Sequence, residues 1–148
     1  MDLHCDTIFL PHQLEGQFSL EKAYNMGGGV QVFACCTAMT DTDSPFETAK
    51  NVITRFKNAV AGDDRIEIVY NLKDAEKIAA SGKVAAIITL EGCDSLEGKM
   101  KNLETFYELG VRGASLTWNG ENELASGCGS LGGLKSFGKE VLSFLENN

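Results

Sequence analysis

No apolar run in the sequence approaches the roughly 20 residues that a membrane span needs. The opening residues, Met1-Asp2-Leu3-His4-Cys5-Asp6, lack the basic segment followed by an apolar stretch that marks a secretory signal, so the expected compartment is the cytoplasm. Basic side chains are few: 13 against 21 acidic ones give a formal charge of -8 and a pI of about 4.7. That balance repels phosphate backbones and anionic membrane surfaces, and nucleic acid is not expected as a partner. The cysteines, Cys5, Cys35, Cys36, Cys93 and Cys128, are odd in number and contain no CxxC pair. Such spacing suggests neither a disulfide framework nor a zinc ribbon, and reduced thiols fit it better. There is no GxxxxGK phosphate loop, and Gly27-Gly28-Gly29 precedes an apolar run instead of linking a strand to a helix, so no dinucleotide fingerprint is present. Linkers and internal repeats are also missing.

What is present is one domain's worth of chain: 148 residues, 43% hydrophobic and 23% charged, close to the globular average. Short apolar runs at Val30 to Met39, Ile66 to Tyr70, Val84 to Leu90 and Val111 to Trp118 predict strands buried on both faces. Residues Met1 to Cys5 predict the stub of another. Helical periods lie between them. The clearest opens with Ser44-Pro45-Phe46-Glu47, where Ser44 caps, Pro45 occupies the first turn and Glu47 completes a capping box. Phe46, Ala49, Val52, Ile53, Phe56, Ala59 and Val60 then form one apolar stripe. Further helices are predicted from about Lys73 to Ser81, from about Lys99 to Leu109, and from about Ser136 onward, the first two stopped by Gly82 and Gly110. Strand and helix alternate, which predicts parallel strands with helices outside, as an open doubly wound sheet or part of a (β/α)-barrel. The Gly-rich stretch Asn119 to Gly133 is a candidate lid or a plain flexible connection.

Chemistry concentrates at three places. In Asp2-x-His4-x-Asp6, residues two apart on a strand share a side, so His4 and Asp6 can bind one metal ion together. The structural alternative makes His4 a hydrogen-bonded core residue and Asp6 a turn cap. Glu91 directly follows the strand Val84 to Leu90, at the carboxyl end where parallel α/β folds place their ligand sites; alternatively it is the first solvated residue of a loop. If the strands are parallel, His4, Asp6 and Glu91 share one rim. Trp118 and Asn119 close the following strand, as a pocket wall and a hydrogen-bonding group for substrate, or as structural residues. His12 reads as a surface residue, and Cys35 and Cys36 as packing residues. Cys93 lies near Glu91, but no paired base marks it as a nucleophile.

Several blocks occur together and in order: Asp2-Leu3-His4-Cys5-Asp6-Thr7, Gly28-Gly29-Val30-Gln31-Val32-Phe33, Thr89-Leu90-Glu91-Gly92, Phe106-Tyr107-Glu108-Leu109-Gly110-Val111-Arg112, Leu116-Thr117-Trp118-Asn119 and Gly133-Leu134-Lys135-Ser136-Phe137-Gly138-Lys139-Glu140-Val141. Spread over nearly the whole chain, they resemble the membrane (renal-type) dipeptidase family of zinc peptidases. The resemblance implies the N-terminal half of an amidohydrolase-like (β/α)8 TIM-type barrel that hydrolyses dipeptides with two zinc ions. It implies that His4 and Asp6 are ligands of the first zinc and that Glu91 is the bridging, catalytic carboxylate. Trp118 stands where mammalian members carry a substrate-contacting histidine and is familiar from bacterial-type members. Family members are about twice as long, and the histidines of their second zinc site lie beyond the last helix of this chain. The expectation is therefore a partial barrel domain over residues 1–148, inactive or weakly active alone, that forms homo-oligomers or pairs with a missing C-terminal half. A noncatalytic metal-binding or assembly module is the alternative. A related amidohydrolase acting on other amides or esters is weaker, because such families usually begin with HxH in place of His4-Cys5-Asp6.

Overall fold

The computed structural model describes residues 1–9, 18–37 and 44–147. His12, Ala38, Met39 and Asp41-Thr42-Asp43 therefore lie outside the described residues. Four strands form the sheet: β1 (Gly29–Cys35), β2 (Ile66–Ile68), β3 (Val84–Glu91) and β4 (Val111–Ser115), with every pairing parallel. Five helices accompany them: α1 (Leu20–Asn25), α2 (Pro45–Val60), α3 (Ala75–Ala80), α4 (Met100–Leu109) and α5 (Ser136–Asn147).

β3 is apolar along nearly its whole length, and its alternate residues divide between two cores, which is what burial on both faces requires. Val84, Ala86, Ile88 and Leu90 join Phe33, Cys35 and Cys5 beneath Ile53, Phe56, Leu103, Phe106 and Val141 of α2, α4 and α5. Ala85 and Ile87 join Val69, with Val30 and Val32 packed against them, beneath Ala75 and Ile78 of α3. Phe33 and Phe56 meet with ring centroids 4.6 Å apart at the centre of the larger core.

Strand order does not follow chain order. β1 occupies one edge of β3 from Val84 to Leu90, so the opposite edge is shared: β2 pairs with Val84 to Ala86 and β4 with Ile88 to Glu91. The strand predicted over Ile66 to Tyr70 is thereby shortened to Ile66–Ile68. Asn71 turns the chain away by accepting a hydrogen bond from the Lys73 amide on its side chain, 3.1 Å, and a single 3-10 turn leads into α3. Where β2 gives way to β4 the register slips, since Ile88 faces Val111 but Thr89 faces Gly113. Arg112 is the extra residue of this bulge. Its guanidinium ties the junction together, donating to the carbonyls of Tyr70 (2.6 Å), Tyr107 (2.8 Å) and Val111 (2.7 Å) and stacking on the Tyr107 ring.

The helix ends follow their sequence signals. Ser44 Oγ accepts from the Glu47 amide at 3.3 Å with Pro45 in the first turn, and α4 stops on Gly110 in the left-handed region. The capping box differs from expectation. Glu47 turns to Lys50 (2.7 Å), and the carboxylate that serves this terminus is that of Glu97, which accepts from the Phe46 amide and from Ser44 Oγ at 3.2 Å each. Helix α1, capped by Ser19, was not predicted; it is six residues long and buries only Leu20, too little to leave a stripe.

Candidate metal centre

The N-terminal segment lies beside β1 but does not run as a regular strand. Asp2 exchanges backbone hydrogen bonds with Val30 and Val32, and the next residue to do so is Cys5, which bonds Val32 and Ala34. Three residues thus span what two would span in a regular parallel ladder, a one-residue bulge. Cys5 therefore takes the position opposite Phe33 and is buried in the larger core, only 2% exposed. His4 and Asp6 fall on the other face, the one that carries Thr89 and Glu91. The simple alternation Asp2, His4, Asp6 is interrupted after Asp2, while His4 and Asp6 stay together because both follow the bulge.

Glu91 is the last residue of β3, so the parallel sheet delivers all three side chains to the carboxyl rim. His4 Nε2 stands 3.4 Å from Asp6 Oδ1 and 3.8 Å from Glu91 Oε2, and one ligand atom from each residue lies within 4.8 Å of the others. Ligands about 2.0–2.2 Å from one ion at tetrahedral angles stand roughly 3.4 Å apart; the two His4 distances are close to this, and the third pair, within 4.8 Å, would close onto a common cation by side-chain rotation. The donors fit as well: one imidazole and two carboxylates are borderline-to-hard ligands and match the charge of a divalent ion. Among the described residues this is the single group of three or more such side chains that converges. The side chains of His4 and Asp6 are half exposed and that of Glu91 is 27% exposed, so the site is open to solvent.

The turn after Glu91 is built for close approach. Gly92 has φ 80° and ψ 131°, and a Cβ there would lie 3.2 Å from the Trp118 amide nitrogen and 3.4 Å from its Cβ. Trp118, which remains partly exposed, thus backs directly onto the Glu91–Gly92 turn. Ser115, opposite Glu91 in the sheet, accepts the Gly92 N–H on its Oγ at 2.8 Å. Sequence reading did not single out Ser115, since nothing local distinguishes a serine that holds a neighbouring strand's turn. Cys93 is fully buried with its Sγ on the Ser115 carbonyl at 3.3 Å, and burial pushes its thiol up to about 12, so it stays protonated. Asn119 is exposed and lies against Cys128, 3.8 Å from its Sγ, instead of among His4, Asp6 and Glu91.

The Gly-rich stretch after Asn119 is organised by a residue without a sequence signal. Asn122 is buried; its Nδ2 donates to the Leu116 carbonyl (2.8 Å), and its Oδ1 accepts from the amides of Leu124 (2.9 Å) and Ala125 (3.2 Å). Leu124 is fully buried, Ala125 bridges to Leu134, and Lys135 Nζ meets Glu121 at 2.6 Å. The base of this segment is anchored, and its exposed part is the tip around Leu131.

Human dipeptidase 3 is 28% identical over 139 residues, which cover 88% of this chain and 28% of that protein; dipeptidase 3 of Rattus norvegicus is also 28% identical, over 136 residues. The chain thus spans under a third of the length of these relatives. Among solved structures, an amidohydrolase from Pseudomonas aeruginosa superposes with a TM-score of 0.74 at 22% identity, over 86% of this chain and 39% of that one. A metallopeptidase from Rhodobacter sphaeroides, liganded with a phosphinate mimic of the dipeptide L-Ala-D-Ala, gives 0.66 at 19% identity, over 96% of this chain and 50% of that one. These likenesses fix the fold as α/β, a parallel sheet with helices packed on it, matching part of longer chains. The sequence profile of the membrane dipeptidase family, peptidase family M19, matches residues 2–148, and the chain belongs to that family.

Proposed function

We propose that this chain carries the first metal-ligand set of a zinc-dependent dipeptidase. The observation that carries the reading is the convergence of His4, Asp6 and Glu91 within 4.8 Å at the carboxyl rim of a chain that belongs to a dipeptidase family. His4 and Asp6 would hold one zinc ion, and Glu91, with two carboxylate oxygens, would bridge it to a second. Zinc bound there supplies a water that ionises near neutral pH and a Lewis acid for the scissile carbonyl. The chain's own residues do the rest. Gly92 and Ser115 fix the turn behind Glu91, and Trp118 forms the wall beside that turn.

Three side chains satisfy one tetrahedral ion together with a water, but not two ions. The second ion therefore needs donors beyond this group. β4 pairs only with β3 among the described residues, and its outer edge is the place for the sheet to continue, through the other half of a barrel or a second copy of the chain. On this reading residues 1–148 are a partial metallo-dipeptidase barrel domain whose turnover is low until that site is completed.

The test is zinc content per folded chain after dialysis, with dipeptide hydrolysis on the same sample. About one zinc per chain, lost in His4→Ala and Asp6→Ala, supports the site. Hydrolysis abolished by Glu91→Gln supports the enzyme, and zinc without turnover, even with saturating metal, supports a noncatalytic metal-binding module. A folded chain that retains no zinc overturns both.

A further inference from the structure

The bulge that brings His4 to the rim encloses a side-chain hydrogen bond. Asp2 Oδ1 accepts the His4 N–H at 3.2 Å. This is the Asx turn, in which a short carboxylate or amide side chain replaces a backbone acceptor for the amide two residues on. In a regular ladder that N–H would bond the Val32 carbonyl, which here is taken by the Cys5 amide at 3.0 Å. The Asp2 carboxylate therefore gives the displaced amide a partner and favours the extra residue. Without that residue His4 would stand opposite Phe33, where its ring would enter the core formed by Phe18, Phe33 and Phe56, and the small buried Cys5 would face the rim.

We propose that Asp2 is a positioning residue: through its hydrogen bond to the His4 amide it sets the bulge that turns the imidazole from the face of the sheet packed by α2, α4 and α5 to the face of Glu91. The proposal rests on the reading of His4 as a metal ligand and adds the device that orients it. It also separates the two aspartates of the motif, Asp6 meeting the imidazole at 3.4 Å and Asp2 holding the backbone. Asn in place of Asp2 keeps the acceptor without the charge; Ala removes the acceptor and the charge alike.

Two measurements test it on wild type, Asp2→Ala and Asp2→Asn. Asp2 is exposed, so each variant is expected to fold. The first is zinc affinity by competition with a chelator. Asp2→Ala should weaken binding ~10-fold or more, as loss of a group that orients a ligand does, and Asp2→Asn should stay close to wild type. The second uses metal-free protein: the hydrogen-bonded shift of the His4 amide proton and the nuclear Overhauser contact between the His4 ring and the Glu91 side chain should be lost in Asp2→Ala and kept in Asp2→Asn. A ring contact that survives in Asp2→Ala, or an Asp2→Asn variant that behaves like Asp2→Ala, overturns the proposal. If wild type binds no zinc the metal reading fails, and the metal-free spectra still decide the positioning.

Discussion

Gly92→Ala, compared with Gly62→Ala, separates backbone strain from packing at the turn that presents Glu91. Both glycines have φ +80°, but nothing lies within 4 Å of a Cβ added at Gly62, whereas one at Gly92 meets the Asp94 carboxylate at 2.9 Å and the Trp118 amide nitrogen at 3.2 Å. The Asp94 side chain can swing away; the Trp118 backbone cannot without disturbing the strand end that carries Ser115. At Gly62 the substitution should cost ~1 kcal/mol, the left-handed penalty alone. At Gly92 the unusual φ and ψ together cost roughly 1–3 kcal/mol, and relief of the Trp118 contact brings the sum to about 2–4 kcal/mol. For a chain of this size, thermal midpoints should fall by about 2–4 °C for Gly62→Ala and about 5–15 °C for Gly92→Ala. Thermal unfolding followed by far-UV circular dichroism reads both. On the proposed metal site, zinc retention should fall only in Gly92→Ala, because only that turn carries Glu91. Equal shifts in the two variants would refute the packing argument, and an unchanged Gly92→Ala midpoint would refute the whole account of the turn.

Glu97 links α2 to the turn after the rim, and Lys99 together with the Phe46 amide and Ser44 holds its carboxyl below the usual value of 4.5. A depressed folded value stabilises the protein above the unfolded value and is lost as pH falls through the folded one. The stability gap between wild type and Glu97→Gln, measured by urea unfolding, should therefore be full at neutral pH and close below about pH 4.5; a gap independent of pH would sink the assignment. Of the five thiols, only Cys128 is exposed, while burial pushes Cys35 and Cys93 up to about 12. A disulfide-exchange reagent should titrate one thiol in the native chain and five after unfolding, and two fast native thiols would contradict the packing described for Cys5, Cys35, Cys36 and Cys93.

What could be read from the sequence was whatever period and caps record. The unbroken apolar run at Val84 signalled a strand covered on both sides, and its even and odd residues do enter different cores. Ser44, Pro45, Gly82 and Gly110 marked helix ends correctly because caps are local chemistry. The two-residue spacing pairs His4 with Asp6, parallel topology and the family resemblance add Glu91, and the three side chains do meet. The unread features depend on register, which local pattern does not encode. Nothing in Asp2 to Cys5 marks an extra residue, nothing in Val111 to Ser115 makes Arg112 a bulge, and the sharing of one edge of β3 by β2 and β4 is a long-range outcome. Asn122 is the same kind of case: its identity is ordinary for a loop, and its importance comes from three partners brought to it by folding.

That shared edge of β3 also sets a gradient of opening through the sheet. Amides of β3 are flanked by β1 on one side and by β2 or β4 on the other, and most of its residues are buried. Those amides of β3 that bond β1 stay protected in any opening that leaves β1 and β3 joined, whereas those that point the other way, as Val84 N–H does to the Arg65 carbonyl, are released with β2 or β4. Among the described residues β2 holds three paired residues and β4 pairs on one edge only, so both can detach in smaller excursions that leave β1 and β3 joined. Glu91 belongs to the slow strand and Ser115 to a faster one. The carboxylate at the rim is thus carried by the most persistent element of the fold, while the residue that tunes its turn sits on a strand free to come and go.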